Sequence, residues 1–105
     1  PAFIKSKKAR DYVKLFDQQC KALPEMLEGD LAVIITIHYA SRRPDLDESV
    51  ILDCMQGKIY GNDRQVKEKH IFWSLDRESP RSYITVMPQD DRASIERHLR
   101  QQREG

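Results

Sequence analysis

The sequence holds few of the residues that staple small secreted domains. Only two cysteines, Cys20 and Cys54, occur in 105 residues, and neither sits in a Cys-x-x-Cys pair. That excludes a disulfide framework and a cysteine-based zinc site, so both read as reduced, partly buried thiols. No apolar run approaches the roughly 18 residues needed to cross a bilayer. The first apolar stretch is short and followed by lysines, unlike a secretory signal. The expected compartment is therefore the cytoplasm. Also missing are a Walker-type phosphate loop, a zinc motif and the dense ligand spacing of a calcium-binding EF-hand. No repeat or low-complexity linker divides the chain, and 105 residues suit one small domain. A core this small buries a modest share of its surface, so help from a partner subunit is expected.

What is abundant is charge, at 33% of residues, although the formal net is only +1. Its distribution is more informative. Residues 1–21 carry Lys5, Lys7, Lys8, Arg10, Lys14 and Lys21 against Asp11 and Asp17, a net of +4. Such a segment attracts phosphate backbones. Residues 42–69 mix six basic with six acidic groups, a composition able to hold a cation among its acids while its bases face phosphates. Either stretch can equally be an ordinary solvated surface.

Periodicity predicts helix, strand, helix, strand, strand, helix, and hence a small α/β fold with a mixed sheet packed by helices. Ser6 can cap a first helix whose buried face is Ala9, Tyr12, Val13, Phe16, Cys20 and Leu23, with Pro24 limiting its continuation. Gly29-Asp30 reads as a turn. Residues 31–40, LAVIITIHYA, form the clearest strand, apolar on both faces through Ile35 and nearing solvent beyond, which suits a central position. His38 on it reads as a strand histidine with a local hydrogen bond or as an auxiliary to a nearby site. A helix across 48–56, with Val50, Ile51, Cys54 and Met55 on its buried side, ends at Gly57. A short extended piece follows at 58–60, then strands over 65–73 and 82–87 with a turn from Asp76 to Pro80, and a last helix over 92–102 capped by Asp90 or Asp91. Phe72, Trp73 and Tyr83 are candidates for core or interface.

The chemistry concentrates in residues 42–66, RRPDLDESVILDCMQGKIYGNDRQV. In an extended loop Asp45 and Asp47 point the same way, and two carboxylates so placed repel unless a cation stands between them. With no cluster of soft ligands nearby, that cation is a hard one, Mg²⁺ or Mn²⁺. Pro44 disfavours helix at Arg43, so the loop leaves the strand extended. Asp63 follows Gly61-Asn62, where a returning helix would bring it back beside the pair, and Asp53 can join from that helix. The bland reading makes Asp47 a helix cap and Asp45 a solvated acid.

This stretch resembles the RusA family of Holliday-junction resolvases. The likeness runs through Arg43, Pro44, Asp45, Leu46, Asp47 and Glu48, then Leu52-Asp53-Cys54-Met55, Gly57, Tyr60, and Asn62-Asp63-Arg64-Gln65-Val66. It extends back to Lys7-Lys8-Ala9-Arg10-Asp11-Tyr12 and forward to the strand at 67–73. The resemblance implies a homodimeric, Mg²⁺-dependent endonuclease that cuts four-way DNA junctions in recombination and repair. It makes Asp45, Asp47 and Asp63 the essential acids, with Asp53 as a supporting metal ligand. Lys5, Lys7, Lys8, Arg10, Arg42 and Arg43 would contact DNA. The chain departs from the family pattern in several places. Glu48 stands where Asn is usual and Asn62 where Asp is usual. The intervening helix is about two residues short and lacks its lysine, for which Lys58, Arg64 or Arg43 would have to substitute. The family's N-terminal strand is missing, so residues 1–105 are expected to form one RusA-like domain without it. The departures favour, as an alternative, a catalytically impaired junction-binding protein. A structural or partner-binding domain would require the motif match to be accidental.

Overall fold

A computed structural model describes residues 7–39 and 48–104, with side chains described over 10–39 and 49–102. It is built from helix α1 (Lys7–Gln19), strand β1 (Leu31–Tyr39), helix α2 (Glu48–Met55), a single 3₁₀ turn (Asp63–Gln65), strands β2 (Val66–Leu75) and β3 (Arg81–Pro88), and helix α3 (Arg92–Glu104). The expected order and α/β class are both observed. By its internal contacts the chain divides into two compact units, Pro1–Leu27 with Arg43–Asp63, and Glu28–Arg42 with Arg64–Gly105.

The second unit is a mixed sheet in the order β2-β1-β3. β1 runs parallel to β2 and antiparallel to β3. The strand richest in Val, Ile and Leu is thus central, where both faces need apolar side chains. Burial continues beyond the expected limit at Ile35: Leu31 through Ile37 are all buried, including Thr36 at 7% exposure, and solvent is approached only at His38 and Tyr39. Ala32 and Ile34 share one face with Met87, Phe72, Ile95 and Leu99, so α3 packs on that face through its two large apolar residues. Asp91 caps α3, its Oδ1 accepting from the Ser94 N–H at 3.3 Å.

β2 and β3 flank β1 rather than each other, so the chain from Asp76 to Pro80 must cross two strand spacings, roughly 10 Å. Asp76 organises that crossing. Its N–H donates to the carbonyl of Tyr39 at 2.8 Å, while its Oδ1 accepts from the N–H groups of Glu78 and Ser79 at 3.2 and 3.1 Å. Before β1, Gly29 takes φ +78°, the left-handed conformation that the expected turn demands.

In the first unit α1 and α2 pack together. α1 buries Phe16, half-buries Tyr12 and Val13, and is followed by the half-buried Cys20, whose N–H bonds the Phe16 carbonyl at 2.7 Å. Leu23, expected on the buried face, lies beyond the helix and is 38% exposed. α2 buries Ile51, Leu52, Cys54 and Met55. Gly57 (φ +85°) terminates it, and its N–H turns back to the Tyr60 carbonyl at 2.7 Å. Residues 57–59 are consequently a turn rather than the extended piece expected, and only Tyr60 makes strand-like bridges, to Leu27 and Gln56. Both cysteines are free thiols, Cys54 buried and Cys20 half-buried.

Candidate metal centre and nucleic-acid surface

Among the predicted site residues, Asp45, Asp47, Lys5, Arg42 and Arg43 lie outside the described residues, as do the side chains of Lys7, Lys8 and Glu48. Arg10 is exposed on α1. Asp53 is exposed on α2, between the buried Leu52 and Cys54. Asp63 opens the 3₁₀ turn and is also exposed. Its backbone N–H donates to Gln56 Oε1 at 3.0 Å, which ties the turn to the end of α2.

Tyr60 lies between these acids in the sequence. Its side chain is fully buried and its hydroxyl donates to the Leu52 carbonyl at 2.7 Å. Burial first, then the negative charges of Asp63 and Asp53, push the phenol up to about 12. Two carboxylates separated by ten positions in sequence thus act on a single buried phenol. The family motif included Tyr60, but nothing in its spacing marked it as the residue that senses both acids. Among the described residues no group of three or more His, Cys, Asp or Glu is placed to hold a metal ion. Asp53 and Asp63 offer only oxygen donors, as a hard divalent cation requires.

Lys58, one candidate for the absent helix lysine, is committed elsewhere. Its Nζ lies 3.2 Å from Asp17 Oδ1 and donates to the Cys20 carbonyl at 3.4 Å, closing off the C-terminal end of α1. For His38 the contact observed is aromatic rather than the local hydrogen bond expected: its ring meets Tyr83 edge-on, with centroids 5.7 Å apart.

In the other unit two carboxylates have structural partners. Glu68 Oε1 accepts from Arg92 Nη1 at 2.6 Å, and its Oε2 lies 2.7 Å from His70 Nε2. These bonds, that of Arg92 foremost, pull the Glu68 carboxyl down to about 2. Asp76 is likewise held below the carboxylate range, chiefly by Arg81 Nη1 at 2.6 Å and then by the Ser79 N–H. Of the three aromatic candidates, Phe72 packs against the core, whereas Trp73 and Tyr83 are 59% and 57% exposed.

No helix among the described residues is long and apolar enough to cross a membrane. No curated protein and no solved structure matches the chain. A family model described as Endodeoxyribonuclease RusA matches residues 2–87, a span that takes in Asp45, Asp47, Asp53 and Asp63 together with β1, β2 and all but the last residue of β3. The chain belongs to the RusA endodeoxyribonuclease family.

Proposed function

We propose that this protein is a metal-dependent endonuclease that resolves four-way DNA junctions by phosphodiester hydrolysis. The observation that carries the reading is the family match across residues 2–87, in which the acids of the sequence motif all fall. Asp45, Asp47 and Asp63 hold Mg²⁺ or Mn²⁺, with Asp53 in support. When bound, such an ion polarises a phosphoryl oxygen and lowers the pKa of water. The short Asp side chains would fix the cation's position more rigidly than Glu would. Arg42 and Arg43 engage phosphates beside the acids, while Lys5, Lys7, Lys8 and Arg10 place the backbone without reading bases. Junction choice then comes from branch shape and deformability rather than sequence. Cutting two opposed strands calls for two sites related by a twofold axis, hence a homodimer. The protein works in the cytoplasm, on recombination or repair intermediates.

The test is cleavage of a synthetic four-way junction in parallel Mg²⁺, Mn²⁺ and EDTA. Cutting in the two metals and none in EDTA is expected. Asp47→Asn should abolish cutting while leaving junction binding intact, and normal cutting by that variant would remove Asp47 from the site.

One observation favours a second reading, a junction-binding protein impaired in catalysis. α2 contains no lysine, and Lys58 is held by Asp17 and the Cys20 carbonyl. Junction binding with no cleavage in either metal would establish that reading over the first.

A further inference from the structure

β2 lies at one edge of the sheet, with only β1 beside it among the described strands. Its residues Lys69, Ile71 and Trp73 share one face, next to the buried Val33, Ile35 and Ile37 of β1. Lys67 precedes them as the extra residue of a bulge, with no partner on β1. Lys67 and Lys69 are exposed. Among the described residues Trp73 is the most exposed large apolar side chain.

The fold itself makes no use of this stripe. Among the described residues neither lysine forms an ion pair. Glu68, the acid between them, belongs to the opposite face of the strand, where Arg92 and His70 hold it. The Trp73 indole has no ring, cation or hydrogen-bond partner among the described residues. Edge lysines also deter the addition of a further strand, but that task gives no reason to leave an indole in water.

Charge, spacing and shape identify the occupant. Two cations answered by no acid call for an anion. They stand roughly 6 Å apart along the strand, and Trp73 lies roughly 13 Å beyond Lys69. The first interval is close to one phosphate step of an extended nucleic acid strand, and the second to two. An open indole accepts the face of any base, whereas a duplex keeps those faces inside its stack. A second copy of this chain fits less well, because it would bring the same unanswered lysines to the contact. DNA enters through the family to which the chain belongs, not through the acidic motif.

We propose that the exposed face of β2 is a track for an unpaired DNA strand, with Lys67 and Lys69 on successive phosphates and Trp73 stacked on a base further along. The proposal goes beyond junction cleavage: it adds single-stranded DNA to what the chain binds, and it requires no metal.

The test uses the full chain in EDTA, an oligo(dT) of about 12 nucleotides and a linear duplex of the same length. Trp73 is the only tryptophan in the sequence, so its emission reports the site directly. Saturable quenching by oligo(dT), and none by duplex, is expected. Trp73→Leu should weaken oligo(dT) binding about tenfold in a gel shift and leave duplex binding unchanged. Because stacking releases no counterions, that loss should be the same factor at every NaCl concentration. Lys67→Gln combined with Lys69→Gln should instead flatten the slope of log affinity against log salt by about 1.4, two single-strand phosphates at about 0.7 each. Binding of oligo(dT) that leaves the indole emission unchanged overturns the track, as do a failure to bind it, equal quenching by duplex, or an unaltered slope in the lysine variant. A Trp73→Leu protein that sediments as a smaller species than wild type also overturns it, because the indole would then be a subunit contact. Quenching is read on the wild type, so the outcome is decided even if a substitution disturbs folding. Junction cleavage in Mg²⁺ with an indole indifferent to oligo(dT) ends only this inference, whereas quenching without cleavage in either metal ends only the reading as a resolvase.

Discussion

Four acids, two from each unit, differ in the company they keep. In the sheet unit, Glu68 and Asp76 each have an arginine nitrogen at 2.6 Å and are held well below the ordinary carboxylate range. In the helical unit, Asp53 and Asp63 face solvent and register through their effect on the buried Tyr60. An acid paired with arginine supports architecture, for its charge is already answered. The contrast separates carboxylates tied into the fold from those that face solvent.

Substitution on both sides can break this division. The largest effect is expected from Asp63→Asn, which should reduce junction cleavage at least about 100-fold while thermal stability stays near wild type. A fall in stability with cleavage preserved would place Asp63 among the structural acids. Glu68→Gln should do the reverse, lowering stability by about 1 kcal/mol at neutral pH and leaving cleavage untouched. The pH dependence gives the sign. The folded Glu68 titrates near 2, below its ordinary 4.5, so its contribution is present above 4.5 and is lost as pH falls toward 2. Urea unfolding of wild type and Glu68→Gln should therefore differ at pH 7 and converge toward pH 2; a constant difference would mean that packing, not charge, is responsible. The smallest effect lies in Tyr60. In Asp63→Asn its phenol should ionise below the wild-type value of about 12, though still above 10 because burial is the larger cause. Ultraviolet titration of the phenolate band measures this, and an unmoved midpoint would detach Asp63 from Tyr60.

The sequence made the sheet easier to read than the site. Residues 31–37 carry so many β-branched side chains that a central strand was the natural outcome, and Gly57 and Asp91 mark helix ends through chemistry that any sequence displays. Ile59 and Tyr60 suggested an extended piece because their side chains suit strands, but the left-handed backbone of Gly57 folds the chain into a turn first. Leu23 continued the helical spacing on paper, yet the helix stops at Gln19 and the face it would have joined ends there. The contact of Glu68 with Arg92 joins residues 24 positions apart, and periodicity within either element holds no trace of it. Asp53 and Asp63 were legible as candidates by residue type and motif. Their joint action on Tyr60 depends on how the turn after α2 closes, which spacing alone does not determine.

The strand order has a consequence for how the molecule is made. β2 and β3 follow one another closely in the chain but never pair, because β1, drawn from 35 positions before β2, occupies the gap between them. No two-stranded hairpin can therefore form first and serve as a nucleus. Every rung of the ladder waits for distant segments to meet, which raises the entropic barrier and slows acquisition of the native state. Until the three segments meet, their strands expose unpaired edges, and the chain is most prone to aggregate during that interval.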